Sequence, residues 1–75
     1  KYGWPDLELF CPSTATKSGH NEAIFIELKA KRGVMNENQR RMRDQIIEAG
    51  FAWALCKSIE DVTAFLTPLV KLKVK

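Results

Sequence analysis

The chain has 75 residues, of which 45% are hydrophobic, and a formal net charge of +3 at pH 7. We expect one small domain spanning residues 1–75, because domains of about 60–70 residues bury only about 60% of their unfolded surface and are seldom divided further. The sequence contains no apolar run long enough for a transmembrane helix and no signal-peptide pattern. These absences argue against an integral membrane protein, and we expect no membrane partner.

The two cysteines, Cys11 and Cys56, are not arranged in a C-x-x-C motif. A zinc site or a redox pair is therefore not expected. We interpret both residues as free thiols in a reducing compartment, which means the cytoplasm, or the nucleus if the protein is eukaryotic.

The first predicted element is a strand at residues 5–10, with Leu7 and Leu9 on one face and Asp6 and Glu8 on the other. Residues 11–22 are rich in turn-forming residues and predict a hairpin loop. The loop contains His20, which we interpret as a surface residue.

Residues 23–30, AIFIELKA, predict a second strand, because β-branched and aromatic residues dominate and neither Gly nor Pro interrupts them. One face is wholly apolar and is expected to face the core. The other carries Glu27 and Lys29, about 6–7 Å apart at ~3.3 Å per residue. If the two strands pair antiparallel with their apolar faces aligned, Asp6 joins Glu27 and Lys29. Such a group suits a hard divalent cation, whereas the simpler interpretation of Glu27 and Lys29 is a cross-strand ion pair.

After a short loop, Asn36 and Gln39 form a capping-box pattern, which predicts a helix to about Ala49 with Gly50 as its stop. Residues 51–56, FAWALC, predict a buried strand that is parallel to a neighbour. Ser58 is the expected N-cap of a second helix. The expected fold is therefore α/β (α+β), a small mixed sheet with flanking helices in the order β-β-α-β-α. The alternating tail at residues 70–75 predicts either a final edge strand or a disordered basic tail.

Half of the lysines and arginines lie within fifteen residues, and only one acid, Glu37, lies among them. Clustered positive charge of this kind is typical of a surface that binds a polyanion, although a solvated helix face would show it too. We predict that the members outside the acidic site bind DNA: Lys31, Arg32, Arg40, Arg41 and Arg43.

Pro5-Asp6, then Glu27-Leu28-Lys29 and then Gln39 at the start of a helix resemble the motifs of the PD-(D/E)XK nuclease superfamily. The closer resemblance is to the VRR-NUC family of virus-type replication and repair nucleases. It extends over nearly the whole chain and includes Gly3-Trp4 before the first motif and residues 33–39 and 50–61 after the second. The resemblance implies a restriction-endonuclease-like core.

The resemblance also implies a mechanism in which Asp6, Glu27 and the backbone carbonyl of Leu28 bind Mg²⁺ or Mn²⁺. Lys29 would then orient the attacking water or stabilise the transition state, and Gln39 would position the water or a phosphate oxygen. The implied activity is hydrolysis of DNA phosphodiester bonds, with branched DNA as substrate, as for the Holliday junction resolvases that such nucleases resemble.

Members of the family usually begin with a helix that carries a further acid, and we expect that helix to be missing here, with Glu8 as a possible substitute. A homodimer is expected, since two sites are needed to cut both strands. Two alternatives remain open at this point: a DNA-binding module on the same fold that does not cleave, and an unrelated ferredoxin-like domain in which Glu27 and Lys29 form a structural ion pair.

Overall fold

The computed structural model describes residues 3–71 and shows a small α+β fold in the predicted order β-β-α-β-α. Its helices and strands are β1 Leu7–Cys11, β2 Glu22–Leu28, α1 Glu37–Glu48, β3 Ala52–Cys56 and α2 Ile59–Leu66. A single 3₁₀ turn, Ser13–Ala15, lies between β1 and β2. The predicted first strand is shifted, because Pro5 precedes β1 and Cys11 closes it instead of lying in the loop.

The three strands form one mixed sheet in the order β1-β2-β3, with β2 in the centre. β1 pairs antiparallel with β2, and Leu7 and Leu9 lie opposite Ile26 and Ile24, the alignment of apolar faces that the sequence predicts. β3 pairs parallel with β2, and Leu28 lies opposite Cys56. The carboxyl ends of β2 and β3 therefore lie at the same end of the sheet.

The central strand is buried on both faces, which the alternation of its residues did not predict. Ile24 and Ile26 are buried on one face, and Phe25 and Glu27 are equally buried on the other. Leu28, expected in the core, is 44% exposed because it is the last residue of the strand. Phe25 is covered by edge-to-face contacts with Trp4 and Phe51, whose ring centroids lie 5.8 Å and 6.0 Å away.

The first helix begins as predicted, with a complete capping box. The Asn36 side chain accepts a hydrogen bond from the backbone N–H of Gln39, and the Gln39 side chain accepts one from the backbone N–H of Asn36. One residue of α1 is buried in the core. Ile46 is buried, whereas Ile47 is 53% exposed and Ala49 is also exposed.

The long connection between β1 and β2 is tied to the chain after α2. Thr16 is buried, its hydroxyl donates to the carbonyl of His20 at 2.7 Å, and its backbone pairs with Val70 in an antiparallel bridge. Val70 is the first residue of the predicted final edge strand, and it is the residue of that strand that forms the bridge. Residues 72–75, which carry most of that prediction, lie outside the described part of the chain.

Both cysteines are free thiols, as predicted, with Cys56 buried at the end of β3 and Cys11 partly exposed. Burial raises the pKa of the Cys56 thiol, and the nearby Asp61 carboxylate raises it further. Within residues 3–71, neither helix has the length and apolar character needed to cross a membrane.

Candidate active site

The predicted site residues meet where β2 ends. Glu27 is the next-to-last residue of β2, and Lys29 follows the strand directly. Asp6 lies just before β1, and because β1 runs antiparallel to β2, its start is adjacent to the end of β2. Gln39 reaches the same place from the first turn of α1. Residues from three separate segments of the chain thus meet at this end of the sheet.

Asp6 is attached to the strand that carries Glu27. Its Oδ2 accepts a hydrogen bond from the backbone N–H of Leu28 at 2.8 Å. The Asp6 carboxyl is also close enough to Glu27 to raise the pKa of the Glu27 carboxyl. Asp6 itself is exposed, so the pair opens to solvent on the Asp6 side.

Glu27 is 2% exposed, and one of its oxygens accepts a hydrogen bond and lies beside an ammonium group. Gln39 Nε2 donates to Glu27 Oε2 at 3.0 Å, and Lys29 Nζ lies 3.9 Å from that oxygen. Both contacts are made to Oε2 and not to Oε1. Gln39 therefore has two functions, since Oε1 of its amide closes the capping box while its Nε2 orients the buried carboxylate.

The pKa of Glu27 is raised above its ordinary value of 4.5, chiefly because burial disfavours the charged form. The hydrogen bond with Asp6 and the negative charge of Asp6 raise this pKa further, whereas the Lys29 ammonium lowers it. A cation between the two carboxylates would relieve their repulsion and the cost of burial together.

Asp6 and Glu27 are chemically suited to hold a divalent cation. Two adjacent carboxylates, one of them buried, are hard oxygen ligands, and the predicted third ligand, the carbonyl of Leu28, belongs to the residue whose N–H binds Asp6. Within residues 3–71, no group of three or more His, Cys, Asp or Glu side chains is placed to hold a metal ion. Glu8 is accordingly not grouped with Asp6 and Glu27, and its carboxylate accepts a hydrogen bond from the Trp4 indole.

The segment before Asp6 packs tightly against the start of α1, which the sequence did not reveal. Gly3 has a φ of +79°, and a Cβ built on it would lie 2.6 Å from the backbone oxygen of Asn38. Glycine is needed here both for the positive φ and for the close approach. The contact joins the segment that carries Asp6 to the helix turn that carries Gln39.

The five predicted DNA-binding residues do not form a single patch of free charges. Lys31 and Arg32 are exposed in the loop before α1. Arg41 forms an ion pair with Glu37 at 2.8 Å, and Arg43 forms one with Asp44 at 2.9 Å. The remaining member, Arg40, donates from Nη1 to the Met35 carbonyl at 2.6 Å.

His20 is exposed in the loop between β1 and β2, at the opposite end of the sheet from Glu27. The structure therefore agrees with its interpretation as a surface residue. Lys57 was not among the predicted site residues, but it directly follows β3 at the end of the sheet that carries Glu27 and Lys29. Its position directly after a predicted parallel strand is the signal that could have identified it.

Comparison with known protein families gives a match to the VRR-NUC domain over residues 1–60. The matched region includes all four residues of the acidic site and the whole of α1. No curated protein and no solved structure matches the chain.

Proposed function

The chain belongs to the VRR-NUC family, which implies a nuclease-type function, and from this we propose that it is a metal-dependent deoxyribonuclease. The observation that carries the proposal is the buried Glu27 carboxylate, which is next to Asp6 and held by Gln39 and Lys29. A buried carboxylate beside a second one is costly in a purely structural site, and the cost is removed when a cation binds both.

In the proposed mechanism Asp6, Glu27 and the Leu28 carbonyl hold Mg²⁺ or Mn²⁺. When bound, the ion polarises the scissile phosphate and lowers the pKa of a bound water. Gln39 keeps the Glu27 carboxylate in one orientation through its bond to Oε2, and so fixes the carboxylate that would hold the ion.

Lys29 supplies positive charge where the phosphate gains negative charge. Its ammonium is partly exposed and only 3.9 Å from Glu27 Oε2, so it can reach a phosphate oxygen or the attacking water while staying beside the carboxylate. As the water oxygen bonds to phosphorus, the P–O bond to the leaving group breaks, and the ammonium stabilises the extra charge on the phosphate oxygens.

We further propose that the substrate is DNA, branched DNA in particular, and that two copies of the chain act as a homodimer. A pair of sites would cut both strands of a junction, which a single site cannot do in one encounter. These finer statements are supported by the resemblance to junction resolvases.

The proposed activity is tested by incubating the protein with labelled four-way junction, flap, single-stranded and duplex DNA in Mg²⁺, Mn²⁺ or EDTA. Glu27→Gln and Lys29→Met are the site variants, and Glu48→Gln and Lys17→Met are matched controls, since both control residues are exposed and outside the site. We expect metal-dependent cleavage that falls by at least about 10²-fold in both site variants, as for loss of one charge-stabilising group, and is unchanged in the controls.

Cleavage that survives in EDTA or in Glu27→Gln would contradict the proposed site. A folded protein that binds DNA but never cuts it would support the alternative of a binding module. The ranking of the four substrates tests the preference for branched DNA, and sedimentation of the protein alone tests the homodimer.

A further inference from the structure

We propose that the DNA backbone lies along the loop at residues 29–35 and contacts Lys57, and that it does not run along the exposed face of α1. The proposal rests on the proposed function for the identity of the ligand, and it names the surface that this ligand occupies. The residues that form this basic loop surface are Lys31, Arg32, Arg40 and Lys57.

Two cationic side chains from outside the loop lie on its backbone. Lys57 Nζ donates to the carbonyl of Lys31 at 3.0 Å, and Arg40 Nη1 donates to the carbonyl of Met35 at 2.6 Å. Both partners are neutral carbonyls, so each side chain keeps its full positive charge. With Lys31 and Arg32 exposed between them, the loop concentrates four charges without an ion-pair partner in the described chain.

The surface is continuous with the acidic site. The backbone N–H of Lys29 donates to the carbonyl of Cys56 at 3.1 Å, which extends the pairing of β2 with β3 by one residue. Lys57 therefore follows β3 directly beside Lys29. A phosphodiester at Asp6 and Glu27 has neighbouring phosphates on either side, and the loop is within reach of a backbone with one charge per strand every ~3.4 Å.

One acid lies close to Lys57, but its carboxylate is already engaged. Asp61 Oδ2 accepts a hydrogen bond from the backbone N–H of Lys57 at 2.9 Å, in the first turn of α2. That carboxylate therefore stabilises the start of α2, where an acid is favourable, and no ion pair joins it to the Lys57 ammonium.

The other arginines of α1 are in a different position. Arg41 and Arg43 each contact a carboxylate within 3 Å, and Arg43 also lies 6.0 Å above the Trp53 ring. A phosphate must compete with these carboxylates, and the net charge of each pair is zero. Arg40 and Arg41 are thus adjacent, exposed and chemically identical, yet they are expected to differ in their effect on DNA binding.

The experiment measures binding of labelled duplex and four-way junction DNA in EDTA, where cleavage cannot interfere, at several concentrations of NaCl. The variants are Lys57→Met, Arg40→Met and Arg41→Met, with Lys57→Arg as a charge-preserving rescue and Lys17→Met as a control at the other end of the sheet. Thermal unfolding of each variant establishes that it is folded.

We expect Lys57→Met and Arg40→Met each to lower the slope of log K against log [NaCl] by about 0.9 and to weaken binding about eightfold at 0.1 M salt. Arg41→Met should weaken binding by less than about twofold with an unchanged slope, and Lys57→Arg should restore the slope. A lysine that merely holds the loop in shape would change affinity without changing the slope.

The proposal is overturned if Arg41→Met changes the slope as much as Arg40→Met, if Lys57→Met leaves the slope unchanged, or if the protein does not bind DNA. The proposed nuclease activity is judged separately, by metal-dependent cleavage and its loss in Glu27→Gln. If the protein cuts DNA but Lys57→Met does not change the salt slope of DNA binding, only the proposed surface is refuted. If the variants show the expected salt slopes but the protein does not cut DNA, only the proposed nuclease activity is refuted.

Discussion

Replacing Gly3 by alanine should damage the protein far more than the same change at Gly19. The two glycines have nearly the same backbone conformation, with φ values of +79° and +78°. They differ in their surroundings. A Cβ at Gly3 would lie 2.6 Å from the Asn38 oxygen and 2.8 Å from its carbonyl carbon, whereas a Cβ at Gly19 would have no atom within 4 Å.

The expected loss of stability has two contributions, the strain of a positive φ at both positions and the clash with Asn38 at Gly3 alone. Positive φ costs an alanine about 1–2 kcal/mol relative to glycine, partly offset by about 0.4–1 kcal/mol of lost unfolded-state entropy. Gly19→Ala should therefore lower the free energy of unfolding by about 1 kcal/mol. Gly3→Ala carries the same term and a clash with backbone atoms, which cannot rotate away. Overpacking adds about 1–3 kcal/mol.

The assay is thermal unfolding of wild type, Gly3→Ala and Gly19→Ala, followed by cleavage at a temperature where all three are folded. About 4–8 °C of Tm corresponds to 1 kcal/mol in a domain of this size, so Gly3→Ala should melt at least about 4 °C below Gly19→Ala. It should also cut DNA more slowly, because Asp6 is three residues away and moves with the segment. Equal melting temperatures for the two variants would refute the reasoning that Gly3 is required by its contact with Asn38.

Three further predictions concern Glu27 and its partners. Burial and Asp6 raise the pKa of Glu27 in the folded protein, so the folded state binds the Glu27 proton more tightly than the unfolded state. The protonated Glu27 therefore stabilises the fold fully below about pH 4.5, and this stabilisation is lost as the pH rises through the raised pKa. Glu27→Gln should therefore melt above wild type in EDTA at pH 7 and lose this advantage near pH 4, as measured by thermal unfolding; a lower Tm at pH 7 would contradict it. Mg²⁺ at millimolar concentration should raise the Tm of wild type and leave that of Glu27→Gln unchanged, and equal shifts would place the ion elsewhere. Gln39→Glu retains the capping oxygen but adds a third carboxyl beside Glu27, so it should melt below wild type in EDTA at pH 7 and recover on acidification, whereas a deficit independent of pH would implicate the cap instead.

The elements and the strand register could be predicted because they depend on local signals. Period-two alternation aligned Leu7 with Ile26, and the capping box marked the start of α1. Burial of the second face of β2 could not be predicted, because Trp4 and Phe51 cover Phe25 from distant parts of the chain. Alternation shows which residues share a face, but it does not show whether another element covers that face.

The candidate site likewise has features that local sequence signals predict and features that only the structure shows. The sequence identified the residues that gather at the end of β2, whereas the neutralisation of Arg41 and Arg43 by acids of α1 was not inferred. Their partners, Glu37 and Asp44, are four residues and one residue away, so the ion pair of Arg41 was within reach of the i,i+4 rule. The contact between Lys57 and the Lys31 carbonyl joins residues 26 positions apart and required the structure.

The dual role of Gln39 couples the stability of α1 to the geometry of the acidic site. Its amide oxygen accepts from Asn36, and its amide nitrogen donates to Glu27. Fraying of the first turn of α1 would therefore remove a donor from a carboxylate that is 2% exposed, which costs about 1–3 kcal/mol for a buried polar group left without its partner. A helix end normally frays easily, but here fraying leaves a buried carboxylate without its donor. The start of α1 is consequently held in place by the same residue that orients Glu27, and Gly3 packs closely against Asn38 in the same turn.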